Sequence, residues 1–312
     1  MRVAAIDLGT NTIRLLVGEA DGAGGYRPVF ADQEITRLGQ GLLPEGHLLA
    51  EPMRRSLAAL RRFRETAASQ GAVAVAAVGT SALREAKNRE TFLDRARREA
   101  GLEVRVISGD EEARLTLLGV RAALERPPDR ILMLDIGGGS AELLLAHGRV
   151  IRAVVSTDLG VVKLTEAHVK SDPPSAEELV AVRDVVAVRI ARLRTRDLSG
   201  CAQGEILVGT AGTVTTLAAV DLSLDPYDPA RVTGHHLSRE RVADLLGELA
   251  RLPLQERRRV RGLEPGRADV IVAGAIICLG VMDGLGFADL TVSDGGLREG
   301  ILLDLLASAR DS

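Results

Sequence analysis

The residues best placed to do chemistry are Asp135, Gly137, Gly138, Gly139, Ser140 and Glu142. An apolar run from Ile131 to Leu134 ends in a carboxylate and passes three glycines and a hydroxyl. It then resumes as a second apolar run that carries another carboxylate. Glycine has no Cβ to hold a ligand away, so a turn of this composition lets backbone N–H groups close on an anion. Asp135 and Glu142, one on each side, are residue types that hold a divalent cation or a water. An ordinary glycine-rich β-hairpin has the same composition, and only recurrence of the pattern separates the two readings.

The pattern does recur. Asp7-Leu8-Gly9-Thr10-Asn11-Thr12, followed by Arg14 and an apolar run, repeats strand, carboxylate, glycine/hydroxyl turn and strand. Gly209-Thr210-Ala211-Gly212-Thr213 follows a strand and opens a helix, where exposed N–H groups bind anions without a charged side chain. Ser293-Asp294-Gly295-Gly296 is a fourth such turn. Four of them spread over two halves predict a duplicated architecture with a phosphate-binding cleft between paired domains. Arg84 falls just past a strand end, where ligands bind in open α/β sheets. Ser108 or Asp110 caps the next helix, with Glu111 and Glu112 in its first turn, which suits the helix dipole. Capping accounts for one glutamate, and a second role for Glu112 needs independent support. There is no Gly-x-x-x-x-Gly-Lys-Ser/Thr loop and no Gly-x-Ser-x-Gly elbow. The histidines (47, 147, 168, 235 and 236) lie outside all four turns, so acid–base work falls to carboxylates.

The elements that must position these turns follow from periodicity. Strands are expected at 2–7, 15–18, 27–34, 72–78, 104–107, on both sides of the 131–145 hairpin, and at 149–156, 206–209 and 290–293. Helices are expected at 51–70, 88–100, from the Ser108 region to about 124, and at 175–193 and 268–282. In the first, Leu57, Leu60, Phe63 and Ala67 form the buried stripe, and Arg54, Arg55, Arg61, Arg62 and Arg64 a solvated face. In the last, Gly274 and Gly280 suggest close packing on a sheet. Arg126-Pro127-Pro128-Asp129 is the best linker signal. The expected domains are therefore 1–125 and 126–297, with a terminal helix in 298–312, ending near Ala309, packed back on the first.

Composition bounds the function class. The 312 residues, 46% hydrophobic and 27% charged, suit a soluble globular chain of two domains. A net charge of -3 and 2% aromatics without Trp argue against nucleic acid as a partner. Cys201 and Cys278 form no CxxC pair and lie in unrelated apolar surroundings, as expected of a reducing cytoplasm. Asp7 comes too early for a signal peptide, and no apolar run approaches a membrane span.

At this point the chain resembles a family. Asp7–Thr12, the Gly79–Arg84 strand end, Ile107-Ser108-Gly109-Asp110-Glu111-Glu112-Ala113, Asp135–Glu142, Val208–Leu217 and Val292–Gly300 look, in order, like the successive motifs of the Ppx/GppA phosphatases. Those are exopolyphosphatases and guanosine pentaphosphate phosphohydrolases, within the superfamily of actin, heat-shock ATPases and sugar kinases. The resemblance implies an α/β fold of two ribonuclease-H-like (actin-like ATPase) domains with an active-site cleft between them. It implies Glu112 as the base that activates water, and Asp135 and Glu142 as carboxylates for Mg²⁺, with other divalent ions or K⁺ as further candidates. It makes phosphate cradles of Gly9, Thr10, Asn11 and Thr12, of Gly137, Gly138, Gly139 and Ser140, and of Gly209, Thr210, Gly212 and Thr213. It makes Arg84 a substrate-binding arginine, with Arg14 and Arg267 weaker candidates for the same task.

The implied activity is release of terminal orthophosphate from inorganic polyphosphate by Mg²⁺-dependent water attack, in a cytoplasmic homodimer. Hydrolysis of pppGpp to ppGpp is the alternative, and few aromatics for stacking guanine tilt the choice to polyphosphate. A superfamily kinase and a non-catalytic alarmone or polyphosphate sensor are more distant readings. The sequence departs from the family in having Gly-Thr-Asn-Thr for Gly-Ser-Asn-Ser and Ala141 where Thr is frequent. It also stops where longer members add helical domains, which puts processivity on a long polymer in question.

Overall fold

In the computed structural model of the chain, the residues described are 1–22, 24–148, 150–196, 198 and 204–309. Cys201, Arg149 and the end of the expected 298–312 segment lie outside the described residues. Two compact units form, Met1–Ala122 with Gly295–Ser312, and Ala123–Asp294. They are taken in turn.

The first unit is built on β1 (Arg2–Leu8), β2 (Thr12–Ala20), β3 (Tyr26–Ile35), α1 (Ala50–Ser69), β4 (Ala74–Gly79), α2 (Ser81–Glu85), α3 (Arg89–Arg95), β5 (Val104–Val106) and α4 (Gly109–Ala123). The sheet order is β3-β2-β1-β4-β5. β1 and β2 form the expected antiparallel hairpin, and β4 and β5 join in parallel through helical crossovers. Side chains alternate across β1 with the period of a strand. Ala4, Ile6 and Leu8 join Leu57, Leu60 and Phe63 of α1 on one face, while Val3 and Ala5 join Leu115 of α4 on the other. The expected 88–100 helix changes character, passing from α3 into a single π turn, Ala96–Ala100, before Gly101 closes it at φ 61°. The solvated-arginine reading of α1 fails at Arg55, which donates from Nε and Nη2 to the Thr36 carbonyl at 3.1 and 2.9 Å.

The second unit contains β6 (Arg130–Ile136), β7 (Ala141–His147), β8 (Val150–Thr157), α5 (Val161–His168), α6 (Ala176–Arg196), β9 (Ile206–Thr210), α7 (Ala211–Asp221), α8 (Pro229–Val232), β10 (His236–Ser238), α9 (Arg239–Arg251), α10 (Leu254–Arg257), α11 (Ile271–Leu285) and β11 (Asp289–Val292). Its sheet order is β10-β11-β9-β6-β7-β8. From β8 to β11 this repeats the first unit: an antiparallel meander of three strands, then two parallel neighbours. Gly274 and Gly280 of α11 face helices and not the sheet, contrary to the expectation. A Cβ at Gly280 would lie 2.4 Å from Val186 of α6, and one at Gly274 would lie 2.5 Å from Thr213 of α7. The glycines let α11 run close beside its helical neighbours.

The chain then returns to the first unit as α12 (Leu297–Ser308). Leu297, Ile301, Leu302 and Leu306 cover Val3, Ala5, Leu16 and Val78 of the sheet. Where α12 passes α4 the backbones touch. A Cβ at Gly300 would stand 1.8 Å from the Leu115 carbonyl oxygen, and one at Gly119 would stand 1.9 Å from that of Gly296. Only glycine permits such an approach.

Candidate active site

The two hairpin turns are copies of one another in geometry. The Gly9 N–H donates to the Thr12 carbonyl at 3.1 Å, and the Gly137 N–H to the Ser140 carbonyl at 2.9 Å. Registers match as well: Asp7 stands opposite Arg14 across β1 and β2, and Asp135 opposite Glu142 across β6 and β7. The same strand position therefore carries a cation in the first unit and an anion in the second.

In the first unit Thr10, Asn11 and Thr12 are buried. The Arg37 and Gly39 N–H groups support the turn by donating to the Asn11 and Thr10 carbonyls, each at 2.9 Å. Asn11 Oδ1 and Thr12 Oγ1 are buried and have no hydrogen-bond partner among the described residues. Such orphaned groups destabilise a fold by about 1–3 kcal/mol each, so a ligand that satisfies them is their natural explanation.

Arg84 and Glu112 meet in this unit. Arg84 lies on α2, whose start follows directly from the β4 strand end, and Glu112 lies in the first turn of α4. Ser108 is the cap of α4, its hydroxyl accepting from the Glu111 N–H at 3.1 Å. Arg84 Nη1 donates to Glu112 Oε2 at 2.5 Å and to the Ile107 carbonyl at 3.1 Å. The sequence offered both residues but not their pairing.

In the second unit Asp135 lies next to the end of β6 and Glu142, only 2% exposed, faces it from β7. Ser156 stands opposite Glu142 on β8, and its hydroxyl donates to Glu142 Oε1 at 2.8 Å. The sequence reading passed over Ser156, because cross-strand neighbours are invisible until register is known. It also passed over Gly160. A Cβ there would lie 2.2 Å from the Gly139 carbonyl carbon, so the start of α5 can press against the glycine turn. The N–H groups of Val161 and Val162 then donate to the carbonyls of Gly137 and Gly138 at 3.1 and 2.9 Å.

The β9–α7 junction is the remaining cradle. Thr210 and Thr213 are buried, Gly209 packs under Val214 and Leu290, and Ala211 takes a left-handed φ of 65°. That conformation costs a residue with a Cβ about 1–2 kcal/mol, the kind of strain that gathers at ligand sites. Arg267, distant in sequence, lies on this turn: a Cβ at Gly212 would fall 1.5 Å from its Nη1.

Among the described residues no group of three or more His, Cys, Asp or Glu could hold a metal ion, and no helix is long and apolar enough to cross a membrane. His147 pairs with Glu205 at 3.1 Å and His235 with Asp221 at 2.7 Å, and neither histidine belongs to a turn. Burial pushes the Asp221 carboxyl up, but hydrogen bonds from Arg241 and His235 outweigh it and hold the group below its ordinary value. Burial pushes the Cys278 thiol up to about 12, so it is inert as a nucleophile.

Duplicated α/β units with glycine/hydroxyl turns at the strand ends define an actin-like two-domain fold. Within that class the chain belongs to the Ppx/GppA phosphatase family, whose model matches residues 17–309. It is 38% identical to exopolyphosphatase 2 of Mycobacterium tuberculosis, over 97% of this chain and 98% of that protein. Among solved structures, the Aquifex aeolicus Ppx/GppA family member is 34% identical with a TM-score of 0.82, covering 100% of this chain and 99% of that one. An exopolyphosphatase from Cytophaga hutchinsonii is 28% identical with a TM-score of 0.87, covering 99% and 98%.

Proposed function

We propose that the protein is an exopolyphosphatase, hydrolysing the terminal phosphoanhydride bond of inorganic polyphosphate. Family membership and relatives named exopolyphosphatase support the activity. The observation that carries the site is the matched pair of hairpin turns, one with orphaned buried oxygens at Asn11 and Thr12 and the other with a buried carboxylate pair at its base.

Glu112 is the general base. It takes a proton from water as the water oxygen bonds to the terminal phosphorus, and the bridging P–O bond breaks to leave the shortened chain as an oxyanion. Arg84, Arg14 and Arg267 bind anionic oxygens of the chain, and the N–H and hydroxyl groups of residues 9–12, 137–140 and 209–213 cradle them. Asp135 and Glu142 would hold Mg²⁺. The donor set fits: Mg²⁺ is commonly held by one or two carboxylates and takes its other oxygens from phosphate and water, so no third protein ligand is required. When bound, the ion neutralises charge on the transferring phosphoryl group. We place the protein in the cytoplasm as a homodimer, which fractionation and light scattering test.

The deciding experiment compares phosphate release from long polyphosphate, tripolyphosphate, pppGpp and ATP by the purified protein with Mg²⁺. Release from polyphosphate, without ATP or an acceptor, is expected. Release from pppGpp alone would assign the other family substrate, and release from none would overturn the hydrolase reading.

A further inference from the structure

Arg257 ends α10 inside the second unit and is only 2% exposed. A buried cation normally has a carboxylate partner. Here the guanidinium donates to three backbone carbonyls: Nε to Leu249 and Nη2 to Leu252 at 2.9 and 2.8 Å, and Nη1 to Ala268 at 2.9 Å. Leu249 and Leu252 belong to the C-terminal end of α9, where helix carbonyls lack partners and the dipole favours a cation. Burial pushes the guanidinium down from its ordinary value, and the charges of Asp172 and Asp269 oppose that.

The third carbonyl gives the arrangement its consequence, because Ala268 directly follows Arg267. Residues 262–268 lie along α7. Gly262, at φ 85°, would put a Cβ 2.2 Å from the Ala219 carbonyl oxygen, and Arg267 sits on Gly212 at the other end of the same helix. Glu264 accepts from Arg267 Nε at 2.7 Å, and the Arg267 N–H donates to the Glu264 carbonyl at 2.8 Å. The Nη end is the one turned to Gly212. Arg267 is thus held at Nε by Glu264, while Arg257 anchors the backbone one residue further on, at the Ala268 carbonyl.

We propose that Arg257 and Glu264 are positioning residues that fix the Arg267 guanidinium over Gly212, so that the β9–α7 turn and Arg267 act as one phosphate-binding unit. This rests on the reading of that turn as a phosphate cradle. A purely structural Arg257 would affect stability alone. A positioning residue acts on phosphate affinity, and only while Arg267 is present.

The test is a double-mutant cycle on tripolyphosphate affinity, measured calorimetrically in a Glu112→Gln background that prevents turnover. Arg257→Lys keeps the charge but not the three-way fork, and is expected to weaken binding about tenfold, as loss of an outer partner does at metal sites. Adding it to Arg267→Ala is expected to cause no further loss. Equal losses with and without Arg267, or no loss with Arg267 present, would overturn the proposal. Should Arg257→Lys unfold, Glu264→Gln, at a partly exposed position, takes its place in the cycle, where the same two results would overturn the proposal. If Arg267→Ala alone leaves affinity unchanged, the cradle reading of Arg267 fails, and the positioning proposal fails with it.

Discussion

Arg84 and Glu112 share a 2.5 Å hydrogen bond between a guanidinium and a carboxylate that are both largely buried. The proposed base and a proposed phosphate ligand are therefore in direct contact. On the proposed assignment, an incoming phosphate oxygen would compete with Glu112 for the same guanidinium, which would couple substrate binding to exposure of the proposed base.

Glu112→Gln preserves size and a hydrogen-bonding side chain at the head of α4. The variant is expected to fold, with an unchanged circular dichroism spectrum, and to lose phosphate release by about 10²–10⁴-fold, the range of a general base. Wild-type turnover in this variant would remove Glu112 from the mechanism. Because the pair acts together, Arg84→Gln and the double variant should be strongly non-additive in kcat/KM.

Thr12 offers a test with opposite signs for stability and function. Its Oγ1 is buried without a partner among the described residues, so Thr12→Val removes an unsatisfied group at nearly constant shape. The ligand-free protein is expected to gain about 1 kcal/mol in urea unfolding, while KM for polyphosphate rises. Destabilisation instead would mean that the hydroxyl is satisfied within the fold.

Ser156 bears on the proposed Mg²⁺ site. Its hydroxyl fixes one oxygen of Glu142, so Ser156→Ala should raise the Mg²⁺ concentration needed for half-maximal activity about tenfold, as loss of outer-shell partners commonly does. Saturating Mg²⁺ should restore kcat. A loss of kcat that Mg²⁺ cannot restore would point to a different role.

Glu178 predicts a pH dependence of stability remote from the active site. Its carboxylate accepts from the Ser171 hydroxyl and from the N–H groups of Ser175, Lys170 and Ser171, which hold its pKa down at about 2, against an ordinary 4.5. A depressed carboxyl stabilises the fold above its unfolded-state pKa, and that contribution disappears as pH falls through the folded value. Glu178→Gln should accordingly melt below the wild type at pH 7, with the gap closing between pH 4.5 and 2. A gap that stays constant over that window would remove the carboxylate from the capping of α6.

What the sequence determined by itself was mostly local in kind. The strand-ending turns, the hairpins at 7–12 and 135–142, the α1 stripe and a cap at Ser108 or Asp110 are legible because periodicity, glycine and capping residues act over a few positions. Even the repeat could be read, since each copy carries its own turn chemistry. Tertiary structure alone decided what depends on register and long-range packing. Ser156 meets Glu142 only through strand pairing, Arg84 reaches Glu112 across a crossover, and Gly160 and Gly300 matter only for the backbone opposite them. Arg257 stands in a run of three arginines, Arg257-Arg258-Arg259, that nothing local marks for burial, yet folding buries it against three carbonyls. Side-chain type states what a residue can donate or accept. Which partner it finds is settled by contacts between segments far apart in the chain, and no local pattern encodes those.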